Sequence, residues 1–190
     1  ILHIKIDDNL VDRQNSSDIS LVKSSYCSSS LSEIQYAINN AEKDSMIKGV
    51  FLEIGDLSGS LANVSSLKRT IESFKNTGRR VTVYSDGLSQ IAYYLASSGD
   101  SIYVSNLSNI EWKGLGAQLM YFKTMLDRIG IQAQPIRAGK YKSAVEPFIL
   151  DSMSSQNKFQ LSEMLNDIWS NILMDVSKES CLLYTSDAAD

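Results

Sequence analysis

Apolar positions along this chain switch between two spacings. Residues 1–6, Ile-Leu-His-Ile-Lys-Ile, alternate apolar and polar, the period of a strand with one covered face. Residues 7–30 are polar and Ser-rich, with Asp-Asp-Asn and Asn-Ser-Ser-Asp turn signals, and predict a long loop. Ser30 and Glu33 form a capping-box pattern. Leu31, Ile34, Ala37, Ile38 and Ala41 then recur at helical spacing. Residues 49–54 are a short apolar run and predict a strand buried on both faces. Leu61, Val64, Leu67, Ile71 and Phe74 mark an amphipathic helix that stops at Gly78, the expected glycine just past a helix end. A strand is predicted over 80–84, a short helix over 89–97 with Ile91, Tyr94 and Leu95, and a strand over 101–104. Residues 118–129 predict a helix with Leu119, Phe122, Leu126 and Ile129 inward, ending at Gly130; 131–137 predict a strand. Leu161, Met164, Leu165, Ile168, Trp169, Ile172 and Val176 mark one long helix.

Strands alternating with helices imply an α/β fold with a mainly parallel sheet and helical crossovers. No Gly-rich phosphate loop follows the first strand, so a dinucleotide-binding assignment has little support. At 190 residues the chain suits one domain with an extension. That domain is expected over 1–180. It opens on Ile1 without a Met, as a segment cut upstream of the domain would. Residues 181–190, Cys-Leu-Leu-Tyr-Thr-Ser-Asp-Ala-Ala-Asp, continue no helical pattern and read as a non-native tail.

Composition narrows the chemistry. The net charge is −4 with both signs interspersed, so no basic stripe points to nucleic acid. Cys27 and Cys181 form no disulfide framework and show no metal-ligand spacing. The single histidine, His3, removes His-based triads and multi-histidine zinc sites. No run of 18 apolar residues occurs. The apolar stripes at helical spacing, with Trp169 and the Tyr93–Tyr94 pair, are expected in the core.

The candidate chemistry lies in residues 139–148, Gly-Lys-Tyr-Lys-Ser-Ala-Val-Glu-Pro-Phe. Lys142 stands there among small, apolar and aromatic residues rather than on a charged helix face. A lysine is a base only when neutral; from a reference pKa of roughly 10.4, half-neutrality at pH 7 needs a fall of about 3.4 units, roughly 4.6 kcal/mol. Tyr141, Ala144, Val145 and Phe148 could supply the apolar pocket for that fall, while Glu146 would oppose it if its carboxylate approached. Adjacent side chains diverge, which makes Ser143 a poor nucleophile for Lys142. The Ser-x-x-Lys strings at Ser20/Lys23 and Ser65/Lys68 lack the further motifs of penicillin-binding enzymes. The second is expected on the exposed side of its helix.

The stretch Tyr141-Lys-Ser-Ala-Val-Glu-Pro-Phe148, with residues 89–97 and 163–173, closely resembles the signal peptide peptidase A (protease IV) family. The resemblance is to the N-terminal half of a long-type member and covers about residues 1–178. It implies stacked β-β-α units of the crotonase/Clp-protease type and a serine endopeptidase with a Ser/Lys dyad. Lys142 would be the general base, and the serine would lie in the C-terminal half, absent here. Ile91 occupies the aligned nucleophile position, with Ser89 facing elsewhere, so this fragment alone should be inactive. Residues 56–60, with Gly59, correspond to a vestigial oxyanion turn, and Gly114 and Gly116 to a lining of the substrate groove. The resemblance further implies cleaved signal peptides as substrate, the C-terminal half and other subunits of a homo-oligomer as partners, and no cofactor, metal or nucleotide. It places the protein at the bacterial cell membrane, the catalytic domain periplasmic and the anchor outside this fragment. Two alternatives stand beside it. One is a non-catalytic scaffold half. The other is a crotonase-like acyl-CoA enzyme, disfavoured because no carboxylate pair is placed for its acid/base chemistry.

Overall fold

The alternating segment at the start forms β1 (Leu2–Val11), longer than the six residues its pattern marks. The structure, a computed structural model, describes residues 1–13, 29–135 and 142–180. After β1 come β2 (Ser29–Ser30), α1 (Leu31–Lys43), β3 (Gly49–Gly59), α2 (Leu61–Asn76), β4 (Arg80–Ser85), α3 (Gln90–Ala96) and β5 (Ser101–Val104). The opening β1, β2 and α1 run in β-β-α order, and strands and helices then alternate singly. The strands form one five-stranded sheet in the order β2-β1-β3-β4-β5, with every pairing parallel. The mixed α/β fold with a parallel sheet is thus as the periodicity predicts.

Burial explains why these segments fold as they do. Ile4 and Ile6 of β1, Val50, Leu52 and Ile54 of β3, and Val81 and Val83 of β4 are all buried. They meet the helical stripe Ile38, Val64, Leu67, Ile71 and Phe74, with Ala92 and Leu95 from α3. Each large side chain taken out of water contributes about 1.5–3 kcal/mol. The alternate strand positions are not covered in this way. His3, Lys5, Phe51, Glu53, Thr82 and Tyr84 are half-buried or exposed. Nε2 of His3 and Nζ of Lys5 each lie 3.0 Å from the Glu53 carboxylate. β3 is therefore buried on one face only, not on both as expected. The reason is visible in its sequence: Glu53 stands between Leu52 and Ile54, and its charge is met by Lys5 of the adjacent strand.

Other local expectations are corrected. Residues 56–60 are not a turn. β3 continues through Gly59, because Ser58 and Gly59 pair with Asn9 and Leu10 of the lengthened β1. Gly59 takes φ 142°, and a Cβ there would meet the Leu10 carbonyl oxygen at 3.1 Å. Ser30 is the N-cap of α1, but its hydroxyl bonds Ser32 rather than closing a capping box. Ser60 does cap α2, its side chain accepting from the Asn63 N–H at 3.2 Å. Gly78, at φ 81°, ends α2 as the pattern predicts.

Two compact units divide the chain: Ile1–Lys113 with the residues from Val176 on, and Gly114–Asp175. The second unit holds α4 (Lys123–Arg128) and α5 (Glu146–Ile149), and α6 (Ser155–Ser180) begins in it. Here the predicted helix over 118–129 shrinks to α4. The Phe122 N–H donates to the Pro147 carbonyl at 2.6 Å, so the residues before it do not join the helical ladder. Leu119 is 44% exposed and Ile129 61% exposed, not inward. Nor is there a strand at 131–135. The Ile131 N–H turns back to the Leu126 carbonyl (3.0 Å) and the Gly130 N–H to that of Asp127 (3.2 Å), with Gly130 at φ 75°. That pair of bonds is the αL helix stop with crossed 6→1 and 5→2 links. Residues 136 and 137 lie outside the described residues. The long helix over the last apolar stripe is present as α6.

Candidate active site

The first unit presents a cavity of about 430 Å³. It is lined by Gly55 and Asp56 of β3, Asp86, Gly87, Leu88 and Ser89 between β4 and α3, and Asn109 and Glu111. Its position is the carboxyl end of parallel strands, where open α/β sheets place ligands. Ser85, fully buried at the end of β4, bonds to the lining residue Gly87. Its hydroxyl oxygen lies 2.7 Å from the carbonyl oxygens of both Ile54 and Gly87, and accepts from the Gly87 N–H at 3.2 Å. The Leu88 N–H donates to the Asn109 carbonyl and the Glu111 N–H to that of Leu88.

Ser89 is the N-cap of α3. Its Oγ accepts from the Ala92 N–H at 3.3 Å, and its carbonyl accepts from Tyr93 N–H at 2.8 Å. The hydroxyl oxygen is thus engaged in starting the helix. Ile91, the second residue of α3, offers only an alkyl side chain. Tyr94 is buried, and Tyr93 packs edge-on against Trp112 with ring centroids 5.1 Å apart.

A serine–lysine hydrogen bond does exist in this unit, but not where either Ser-x-x-Lys string suggests. Lys68 is 2% exposed, which corrects its expected place on the open side of α2. Its Nζ donates to Ser97 Oγ at 3.1 Å, pairs with Glu72 Oε1 at 3.0 Å and stands 5.6 Å from the Tyr94 ring centre. Ser65 instead accepts from Arg69. The sequence carries one sign of this burial: Lys68 follows Val64 by one helical turn and so flanks the apolar stripe. The pair is poorly suited to catalysis. Ser97 is buried and donates its own proton to the Tyr94 carbonyl at 2.8 Å. Cys27 and the Ser20/Lys23 string lie outside the described residues, as does Cys181.

In the second unit, Lys142 is exposed. Ala144 is exposed, Phe148 is 48% exposed and Val145 is half-buried; Tyr141 lies outside the described residues. The apolar pocket expected around Lys142 is therefore not assembled by the described residues. Glu146, the residue expected to oppose a neutral lysine, is 2% exposed and directed to the start of α6. Its Oε1 accepts from Ser154 Oγ at 2.6 Å, and its Oε2 from Asn157 Nδ2 at 3.1 Å and Ser154 N–H at 3.3 Å. Gly114 adopts φ 82°, a conformation that suits glycine, and Gly116 has open space where a side chain would be. Both lie in a stretch without helix or strand.

Among the described residues, no group of three His, Cys, Asp or Glu is placed to hold a metal ion, and no helix is long and apolar enough to cross a membrane.

Comparison with known proteins places the chain among the peptidases: the model of Peptidase family S49 matches residues 73–187, which include both α3 and the lysine loop. The chain belongs to Peptidase family S49. It is 37% identical to "Protease 4" of Haemophilus influenzae over 147 residues, 77% of this chain and 24% of that protein. To "Protease 4" of Salmonella typhi it is 33% identical over 149 residues, 78% of this chain and 24% of the relative. To "Serine protease SPPA, chloroplastic" of Arabidopsis thaliana it is 31% identical over 148 residues, 78% of this chain and 22% of the relative. The chain thus spans about a quarter of the length of these relatives.

Proposed function

We propose that this chain is the lysine-bearing, N-terminal half of a serine endopeptidase that degrades cleaved signal peptides. Lys142 is its general base, and the serine comes from a C-terminal half of the same protein. The observation that carries the reading is the family match across 73–187, which spans the lysine loop, combined with Ile91 at the aligned nucleophile position and Ser89 engaged as a helix cap. In this reading the half supplies the lysine and its partner half the activated serine.

In the proposed reaction the neutral Lys142 amine takes the proton of the partner serine hydroxyl as its oxygen attacks the scissile carbonyl. The resulting ammonium returns that proton to the leaving amine as the C–N bond breaks, leaving an acyl-serine. Water then adds by the same route, with Lys142 accepting and returning one proton. Backbone N–H donors for the oxyanion come from the serine-bearing half, since residues 56–59 here are strand and Ser60 caps α2. Because Lys142 is exposed in this chain, its desolvation is assigned to the covering surface of the partner half. The second unit offers apolar side chains to such a surface: Met120, Met125, Phe148, Phe159 and Met164 are each about half exposed or more. Gly114 and Gly116 belong to the proposed groove for the substrate's apolar segment. The proposed setting is the outer side of a bacterial cell membrane, as part of a homo-oligomer.

The exposure of Lys142 favours one second reading, a scaffold half that docks and shapes its partner without chemistry. One experiment separates the two. In the full-length protein, Lys142→Ala and Lys142→Arg are expected to abolish turnover of a signal-peptide substrate and labelling by a fluorophosphonate. Arginine does not rescue because guanidinium stays protonated. Substantial turnover in either variant removes Lys142 from the mechanism and leaves the scaffold reading.

A further inference from the structure

Four residues beyond Lys142 stands a carboxylate that the mechanism above does not use. Glu146 is 2% exposed. Burying an ionised carboxylate costs several kcal/mol unless hydrogen bonds and charge offset it. Here the offset is visible: Ser154 Oγ, Ser154 N–H and Asn157 Nδ2 all donate to Glu146, at the positive end of the 26-residue helix α6.

The helix does not need this carboxylate as its cap. Ser154 already performs that role, its Oγ accepting from the Asn157 N–H at 3.2 Å and its carbonyl from the Lys158 N–H at 2.9 Å. What the carboxylate adds is on the loop side. The Glu146 N–H donates to the carbonyl of Ser143, the neighbour of Lys142, at 2.9 Å, and its own carbonyl accepts from Leu150 N–H at 2.9 Å. One residue on, the Pro147 carbonyl accepts from Phe122 N–H, and the Phe122 and Phe148 rings stack with centroids 6.1 Å apart. The Tyr121 hydroxyl is buried there with no hydrogen-bond partner among the described residues. Its ionisation is pushed up, first by burial and then by the negative charge of Glu146. Main chain and side chain of Glu146 thus tie the segment after Lys142 to a rigid helix start.

We infer that Glu146 is the positioning residue of the lysine loop, its buried carboxylate locking residues 143–148 onto the start of α6 and so setting where Lys142 is presented. The inference rests on the assignment of Lys142 as base. It makes Glu146 a support of the lysine rather than its competitor.

The test uses the full-length enzyme with Glu146→Gln, Ser154→Ala, Ser154→Thr and, alongside, Lys142→Ala. Glutamine keeps the shape but cannot accept at both positions. A misplacement on the order of 1 Å costs about 100-fold in rate, so kcat for Glu146→Gln is expected to fall by about 10- to 100-fold while KM changes less than about threefold. Ser154→Ala is expected to lose about tenfold in kcat, and Ser154→Thr, which keeps the hydroxyl, to recover it to within about twofold. Amide hydrogen exchange is expected to quicken over 143–148 in Glu146→Gln while the amides of β3 keep their protection. If Glu146→Gln does not fold, the Ser154 pair decides alone. Loss of turnover in Lys142→Ala with undiminished kcat in Glu146→Gln overturns the positioning role and leaves the base assignment intact. Retained turnover in Lys142→Ala overturns both. Failure of threonine to restore what alanine removes overturns the anchor at Ser154.

Discussion

Lys68 Nζ and Ser97 Oγ lie 3.1 Å apart in the interior of the first unit, joining the middle of α2 to the end of α3. This is the spacing a Ser/Lys dyad would show, in a member of a peptidase family. Yet both residues are about 2% exposed, so no peptide reaches them. Glu72 compensates the ammonium from one turn along α2. The contact is a fastener between helices.

The two lysines therefore respond oppositely to substitution. Lys68→Met places a flexible apolar chain of similar length in the same space and leaves Glu72 to water. Stability is expected within about 1 kcal/mol of the parent. Ser97→Ala leaves an ammonium proton unmet and is expected to cost about 1–2 kcal/mol. Glu72→Ala strips the buried ammonium of its counter-charge and is expected to cost about 2 kcal/mol, less than a fully buried pair because Glu72 is partly wet. Denaturant unfolding measures these differences. Full-length Lys68→Met is expected to keep its turnover; its loss would make Lys68, not Lys142, the base.

Much of the first unit was legible from periodicity, because α2, α3 and β4 form from residues whose burial follows their own spacing. What was not legible depends on partners distant in sequence. Ser58 and Gly59 are strand only because Asn9 and Leu10 extend β1 beside them. The helix predicted at 118–129 loses its first half because the Phe122 N–H goes to Pro147, whose carbonyl no local pattern marks. Lys68 reads as a surface charge until Ser97 and Tyr94 are seen above it. For the candidate site, the motif was legible and its environment was not. The sequence sets small, apolar and aromatic residues beside Lys142, but Ala144 and Phe148 are exposed, and the dryness that the proposed base needs is assigned to the proposed partner half.

Gly78 and Gly130 hold positive φ of 81° and 75° just past α2 and α4, and each has open space where a Cβ would lie. Alanine at either position meets no neighbour, so its cost is backbone strain alone, about 1–2 kcal/mol. Asparagine, which tolerates this region better, is expected to cost about half as much. Gly59→Ala adds contact with the Leu10 carbonyl and is expected to cost more than either. Unfolding midpoints of the three alanine variants check the order.

Ser85 is a fully buried hydroxyl bonded to the cavity-lining Gly87, close to the carbonyls of Ile54 and Gly87 and accepting from the Gly87 N–H. Its single proton serves one carbonyl at a time. Ser85→Ala leaves the Gly87 N–H and one carbonyl without this partner, an expected cost of about 1–3 kcal/mol. Ser85→Cys, of similar shape with a weaker donor, is expected to fall between the two. Hydrogen exchange is expected to quicken at Gly87 and Leu88 before it does at Val81 and Val83. Uniform loss of protection along β4 would instead place the effect in the sheet as a whole.

The polar face of the sheet gives the chain a salt- and pH-dependent contribution whose sign can be worked out. The hydrogen bond from Lys5 holds the Glu53 carboxyl below its ordinary value, outweighing the opposing effect of burial, and a weaker hydrogen bond from His3 adds to it. Conversely, the hydrogen bond to Glu53, with that to Asp7, raises Lys5. A lowered carboxylate favours the folded state fully above its ordinary value of 4.5 and loses that contribution as pH falls through its folded value. A raised lysine favours folding fully below 10.5 and loses it as pH climbs through its folded value. Between those limits the pair contributes in full, and because the groups are solvent-exposed it is weakened by salt. The thermal midpoint of Glu53→Gln is therefore expected to lie below the parent's by a constant amount at neutral pH. The gap closes as pH drops beneath the ordinary carboxylate range, and narrows in about 1 M salt, where the Debye length falls to about 3 Å. Melting curves of both proteins across acid and neutral pH, at two salt concentrations, decide it. A gap that survives full carboxylate protonation would assign the effect to packing of the Glu53 side chain rather than to its charge.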